Sequence, residues 1–148
     1  MRTSSPPSPL TLENLGFLLA KASQRFNERL AERFAERGFS DLRPAHGSVL
    51  MPLFEQDGLR VGEIGRRARL SKQSMTRLMR ECEQAALVRR RRDEGDGRAF
   101  RVGLTARGRR LRAVAAEVLG ELNDEVVAGL GRHDTEALRT ALKGVMEL

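Results

Sequence analysis

Between Ser71 and Gly108 the chain changes its hydrophobic period twice, and that order of periods restricts what it can fold into. The stretch reads SKQSMTRLMRECEQAALVRRRRDEGDGRAFRVGLTARG. From Ser71 to about Ala85, Met75, Leu78, Met79 and Cys82 recur at helical spacing, which leaves Ser71, Lys72, Gln73, Ser74, Thr76, Arg77 and Arg80 on the opposite face. Leu87–Arg92 and Arg98–Gly103 then alternate as two short basic strands around Asp93-Glu94-Gly95-Asp96-Gly97. Gly95 and Gly97 can supply the positive φ that hairpin loops need. Thr105 is placed to cap a further helix. A polar-faced helix feeding a basic hairpin is the expectation for this segment.

The flanks are helical. Apolar residues at Leu12, Leu15, Leu19, Ala22, Phe26, Leu30 and Phe34 predict one long helix from Leu10 to Arg37, starting near Thr11 and stopped by Gly38. A second is expected over Arg43–Gln56, with Pro44 tolerated in its first turn and Pro52 kinking its interior. Leu59–Val61 reads as a short strand pairing with the hairpin. Gly62–Ala68 reads as a short helix, where Gly65 permits close approach of a neighbour. Together with the Ser71 helix it makes a helix-turn-helix. Leu111, Val114, Val118, Leu122 and Val126 predict a helix from Thr105 to about Ala128, ended by Gly129-Leu130-Gly131. A last helix is expected from about Asp134, with His133 in a loop or cap. The apolar stripes of the terminal helices exceed what one small subunit needs to cover, which points to packing on a second subunit. MRTSSPPSP, residues 1–9, reads as a loose tail.

Charge narrows the function. The net charge is +7, but residues 60–110 hold 16 Arg or Lys against 6 Asp or Glu, a local +10, while the remainder sums to −3. A polyanion is the natural partner of that middle third. The 148 residues contain no apolar run near the ~20 needed for a membrane span, and a single cysteine excludes an internal disulfide framework. A cytoplasmic protein follows, with no membrane partner. No histidine pair at metal spacing, phosphate-cradling glycine loop or Ser-His-acid set occurs, so neither catalysis, a cofactor nor a metal is expected.

The residue types fit duplex DNA. Short hydrogen-bonding side chains at a helix N-terminus reach base edges, and nearby Arg or Lys hold phosphates. Gln73 can pair with adenine and Arg77 with guanine in bidentate fashion. Of Arg89–Arg92 only two can share a face; Arg90 and Arg92 are the candidates, with Arg98 at the tip as the side chain to enter the minor groove. Asp96 would be repelled by phosphate, so it is expected either to orient Arg98 or a helix arginine, or simply to form the turn. Cys82 is read as a small buried hydrophobe, with a reactive thiol beside Arg80 as the alternative were it exposed. His46 reads as a surface residue at a helix end.

Asp93, Asp96-Gly97-Arg98, Arg101-Val102 and Leu104-Thr105-Ala106-Arg107-Gly108 closely resemble the wing and following helix of the MarR (multiple-antibiotic-resistance regulator) family of winged-helix transcription factors. VGEIGRRARLSKQSMTRLMRECEQAALVRR is similar to its helix-turn-helix. The resemblance implies a mainly α fold with a small β-hairpin wing, divided into a tail (1–9), an N-terminal dimerisation helix (10–40), a winged helix-turn-helix lobe (41–104) and C-terminal dimerisation helices (105–148). It implies a homodimer on a pseudo-palindromic operator, in most relatives a repressor, relieved by a small aromatic anion bound between the dimer region and the lobe. His46 and Leu50 fall where such pockets open. The chain departs from the family at Arg60, where a Ser or Thr cap is usual, at Ala85-Ala86, and at Cys82, a usual leucine position. It lacks Trp and Tyr, and it lacks the first-helix cysteine with which some relatives sense oxidants. Three other readings compete: an effector-independent or architectural DNA binder, a protein-interaction module that has lost its operator, and an RNA binder. The polar, basic face of residues 71–80 disfavours the second. The scarcity of aromatics disfavours the third.

Overall fold

The computed structural model describes residues 4–6 and 8–148, so part of the expected tail, residues 1–3 and 7, lies outside the described residues. Helix α1 spans Leu15–Glu36 and starts later than expected. Asn14, not Thr11, caps it: the Asn14 side-chain oxygen accepts the N–H of Gly16 at 2.9 Å and of Phe17 at 3.4 Å. Thr11 is consumed in the preceding turn, donating to the Ser8 carbonyl at 3.0 Å. Gly38 ends the helix at φ +90°, as expected, while the Phe39 N–H returns to the Phe34 carbonyl at 2.9 Å.

The expected helix over Arg43–Gln56 divides in two, a 3₁₀ turn at Pro44–His46 and helix α2 at Gly47–Glu55. The division has a local cause. The Arg43 backbone N–H donates to His46 Nδ1 at 3.1 Å, closing the tight turn on a side chain. Pro52 is buried inside α2, and the helix continues past it to Glu55.

β1 (Leu59–Arg60) leads directly into α3 (Val61–Arg67). Arg69, at φ +55°, turns the chain, and the Leu70 N–H reaches back to the Gly65 carbonyl at 2.9 Å. Ser71 then caps α4 (Lys72–Gln84) by accepting the Ser74 N–H at 3.1 Å. β2 (Val88–Asp93) and β3 (Asp96–Leu104) form the hairpin, and the three antiparallel strands lie in the order β1-β3-β2. Its loop is tighter than expected, and neither Gly95 nor Gly97 takes a positive φ. Asp93 closes the turn instead, accepting the Gly95 N–H at 2.9 Å where the register shifts between Arg92 and Asp93.

Helix α5 (Ala106–Leu130) runs beyond the expected Ala128, because Gly129 stays helical and only Gly131, at φ +84°, breaks the chain. α6 spans Arg132–Met146, so His133 lies in its first turn rather than in a loop. Val49, Leu50 and Leu53 of α2, Ile64, Met79, Leu87, Val102, Leu111 and Val118 form a fully buried core joining helices to sheet.

The C-terminal half of α1 lies along α5. Arg33 and Arg37 reach Glu121 at 3.0 and 2.6 Å, and Arg29 reaches Glu125 at 2.6 Å. Pairs this exposed orient the two helices more than they stabilise them. The N-terminal half of α1 has no such support: Leu15, Phe17, Leu18 and Leu19 are exposed, as are Leu138, Leu142, Val145 and Met146 along α6. Among the described residues no helix is long and apolar enough to cross a membrane.

Candidate nucleic-acid interface

α4 buries one side and bares the other, as its period requires. Met75, Leu78, Met79 and Cys82 are inside. Lys72, Gln73, Thr76, Arg77 and Arg80 are exposed, and Ser74 is half-buried. The hydroxyls are partly committed: Ser71 and Ser74 bond to each other at 3.0 Å, and Thr76 donates to the Lys72 carbonyl at 2.9 Å. Lys72, Gln73, Arg77 and Arg80 make no side-chain hydrogen bond or ion pair among the described residues. These four have donors to offer a ligand.

Register determines which wing arginines stand on the same side. Arg90 is opposite Val102 and Arg92 opposite Phe100, so these two share the face that also carries Val88 and Leu104. Arg89 and Arg91 are on the other face, with Gly103 and Arg101 as partners. Arg90 is tied to Glu83 of α4 at 2.8 Å, which fixes the hairpin to the helix. Arg98 is exposed beside the loop. Asp96 does not pair with its guanidinium; it accepts the Arg98 backbone N–H at 3.0 Å, the local bond of a turn former. The alternative of Asp96 reaching an arginine of α4 is likewise not what the structure has.

The acid that organises the wing is Asp93, which is buried. It accepts Arg60 Nε at 2.8 Å and faces Arg101 Nε at 3.2 Å. The Gly95 N–H, then the Arg60 and Arg101 guanidinium groups, hold its carboxyl below the usual aspartate value. Arg60 thus gives no side-chain cap to α3 and uses its side chain to tie β1 to the hairpin. The sequence singled out Asp93 only as part of the wing motif. Its partner Arg60 lies 33 residues away, and nothing in the local pattern marked that pairing.

A second long-range group was equally hidden. Glu81, on α4, accepts the Arg43 guanidinium and faces His46 Nε2 at 3.1 Å. His46 is therefore buried, not at the surface, and since its Nδ1 accepts from Arg43, its ring proton belongs on Nε2 and is donated to Glu81. The Arg43 guanidinium, and after it His46, hold the Glu81 carboxyl below the usual glutamate value. Arg107 makes a similar tie, to Asp41 at 2.8 Å, with its guanidinium 5.1 Å from the Phe39 ring centre.

Between α1, α2 and α5 a cavity of about 130 Å³ opens, lined by Leu30, Phe34, Leu50, Phe54, Leu111 and Ala115 among others. Leu50 lies on its wall. His46 does not; its neighbours Arg43, Pro44 and Gly47 do. Cys82 is fully buried, and burial, reinforced by Glu81 and Glu83, pushes its thiol up to about 12. An inert thiol results, and the alternative of an exposed, arginine-activated Cys82 does not describe this site. Among the described residues no cluster of His, Cys, Asp or Glu could hold a metal ion.

A helix-turn-helix with an arginine-bearing hairpin docked against its second helix is a winged-helix lobe, here set on long flanking helices. Residues 40–99 match the model of the MarR family. The chain is 42% identical over 64 residues to the HTH-type transcriptional regulator TtmR of Methylorubrum extorquens (strain PA1), a match covering 43% of this chain and 33% of that protein. It is 29% identical over 102 residues to the organic hydroperoxide resistance transcriptional regulator of Bacillus subtilis (strain 168), covering 67% of this chain and 66% of that one. The chain thus matches a third of one of these curated relatives and just under two thirds of the other. A solved structure of the transcriptional repressor CouR, bound to a 23-mer DNA duplex, superposes with a TM-score of 0.78 at 26% identity, over 96% of this chain and 99% of that one. Over residues 40–99, the helix-turn-helix and most of the wing, the chain is thus similar to the MarR family.

Proposed function

We propose that this protein is a cytoplasmic, homodimeric transcriptional regulator that binds a pseudo-palindromic duplex site and acts as a repressor released by a small ligand. The observation that carries the reading is the juxtaposition of two sets of free donors. Lys72, Gln73, Arg77 and Arg80 line the open face of α4, and Arg92 and Arg98 extend from the hairpin that Arg90 ties to that helix. A helix of this kind fits the major groove, and an arginine at a wing tip fits the minor groove beside it. Ser71, Ser74 and Thr76 shape the helix start and leave base reading chiefly to Gln73 and Arg77. CouR, of similar fold, is described bound to DNA as a repressor, which supports both the partner and the sign of regulation.

The division of labour follows the packing. Residues 41–104 form the DNA-binding lobe; α1 with α5 and α6 forms the dimerisation region. The exposed stripes Leu15, Leu18 and Leu19 on α1, and Leu138, Leu142 and Val145 on α6, are apolar surface that a second copy would cover. Replacing Leu142 and Val145 together by glutamate is expected to leave a monomer of 16.5 kDa in sedimentation velocity. Because two half-sites are then no longer linked, operator affinity should fall by at least about a hundredfold. A double variant that sediments and binds like the wild type would remove α6 from the interface.

A further inference from the structure

The face of the hairpin turned away from Arg90 and Arg92 carries arginines that the proposed DNA contacts leave unused. A pocket of about 300 Å³ opens there, lined by Arg89 and Arg91 of β2, Gly103 of β3, Arg109 of α5 and Asp57 from the loop before β1. Arg91 stands directly opposite Arg101 in the ladder, a like-charge pairing that weakens a sheet unless a counter-charge is near. Arg101 has one in Asp93, at 3.2 Å. Arg89 and Arg91 have none. Their side chains make no hydrogen bond or ion pair among the described residues, whereas Arg60, Arg90 and Arg101 of the same sheet are all paired. The backbone helps to place the guanidinium groups. Gly103 lets Arg91 fold across the strand, its Nη2 only 3.3 Å from where a Cβ would stand. Arg109 is anchored by donating to the Leu104 carbonyl at 3.0 Å. Asp57 is the one acid on the wall among the described residues, and its Oδ1 already accepts the N–H groups of Gly58 and Leu104, at 2.9 and 3.0 Å.

Three guanidinium groups against one carboxylate leave a surplus of two positive charges in this pocket. A carboxylate or a phosphodiester would neutralise only one of them. A phosphate monoester carries about −1.5 to −2 near neutral pH and has three acceptor oxygens, which matches both the charge and the number of arginines. Arginine suits such a guest, because its planar fork presents paired donors to phosphate oxygens. The start of α5 borders the pocket through Thr105 and Ala106 and adds a smaller contribution of the same sign. We propose that this pocket binds a phosphomonoester dianion, a small phosphorylated molecule distinct from the duplex. The site lies on the opposite face of the hairpin from Arg90 and Arg92, so it stands whether or not those residues meet DNA. A bound dianion would join β2 to α5 and to the loop before β1, and so fix the base of the hairpin.

The test uses the full chain at constant ionic strength, with methyl phosphate as the monoester probe and dimethyl phosphate as its singly charged counterpart. NMR follows the Gly103 amide and the Nε–Hε signals of Arg89, Arg91 and Arg109. Methyl phosphate is expected to shift these signals saturably and to bind at least about tenfold more tightly than dimethyl phosphate. Its affinity should fall as the pH drops below about 6, where the probe loses its second charge and the arginines keep theirs. Arg89→Gln combined with Arg91→Gln should weaken methyl phosphate by at least about tenfold. The thermal midpoint should stay unchanged, because neither side chain has a partner to lose. Dimethyl phosphate binding as tightly as methyl phosphate, or an affinity unchanged in the double variant, would overturn the dianion site. Signals that neither probe moves at millimolar concentration would overturn it too. A DNA footprint that shrinks in the double variant would then assign these arginines to the backbone of the duplex instead.

Discussion

Gly108→Ala is expected to destabilise the protein by about 3 kcal/mol, at the upper end for overpacking. Gly108 is buried in the first turn of α5, and a Cβ there would stand 2.2 Å from the Leu87 carbonyl oxygen and 3.2 Å from the Leu104 side chain. The Leu104 methyl can move; the carbonyl cannot. It accepts the Thr105 N–H at 3.0 Å, and the Thr105 hydroxyl in turn accepts the Gly108 N–H at 3.0 Å. Cap, strand entry and glycine therefore form one closed set of bonds at the joint between wing and α5. The physical content of the Leu-Thr-x-x-Gly motif is this close approach. Relief requires α5 to lift from the start of β2, which opens the core around Leu87 and Leu111. Thermal unfolding followed by circular dichroism should drop by about 10 °C, given roughly 2–4 °C per kcal/mol for chains near this size. A midpoint within about 2 °C of the wild type would mean that the joint is not packed as described.

Arg98→Ala is expected to weaken operator binding strongly while leaving the fold alone. Arg98 is exposed, its side chain makes no hydrogen bond or ion pair among the described residues, and the bond from its backbone N–H to Asp96 survives the substitution. Loss of a groove-inserted arginine should weaken operator binding by about 2 kcal/mol, or roughly thirtyfold, with the salt slope falling by about 1. Arg98→Lys separates two kinds of contact. A phosphate contact is largely restored by lysine, whereas a planar guanidinium seated in a narrow minor groove is not. Anisotropy titrations of labelled operator at two salt concentrations measure all three. Unchanged affinity of Arg98→Ala at moderate salt would remove the wing tip from the DNA.

What could be read along the chain was whatever repeats locally. The stripe Met75, Leu78, Met79 and Cys82 put α4 and its polar face in place, and the alternation of Arg89–Arg92 correctly left only Arg90 and Arg92 on one side. Ser71, Thr105 and Gly38 marked helix ends because their bonds close within three to five residues. Errors arose where a bond skips the local pattern. His46 was expected at the surface because its partner Glu81 is 35 residues on, and a lone histidine near a proline has no period to betray burial. Arg60 looked like a missing helix cap, when its side chain was holding Asp93 across the sheet. Gly95 and Gly97 suggested a loop built on glycine conformations, and the Asp93 carboxylate built a tighter one. The start of α1 was misplaced because Leu10 and Leu12 continue the apolar pattern although Asn14 has already capped the helix. The exposed apolar stripes are a different case: their excess was visible in the sequence, but what covers them is a property of the assembly.

The central claim is that α4 and the wing read a specific duplex sequence as a symmetric pair. The direct test is selection from random duplex DNA by the purified full chain, carried out at low and at moderate salt. An enriched inverted repeat is expected, with half-sites roughly 34–36 Å apart, one helical turn, and with enrichment that persists at moderate salt. Binding that merely fades as salt rises, with no sequence enriched, would mean that the basic face of this protein holds phosphates without reading bases, and would contradict it.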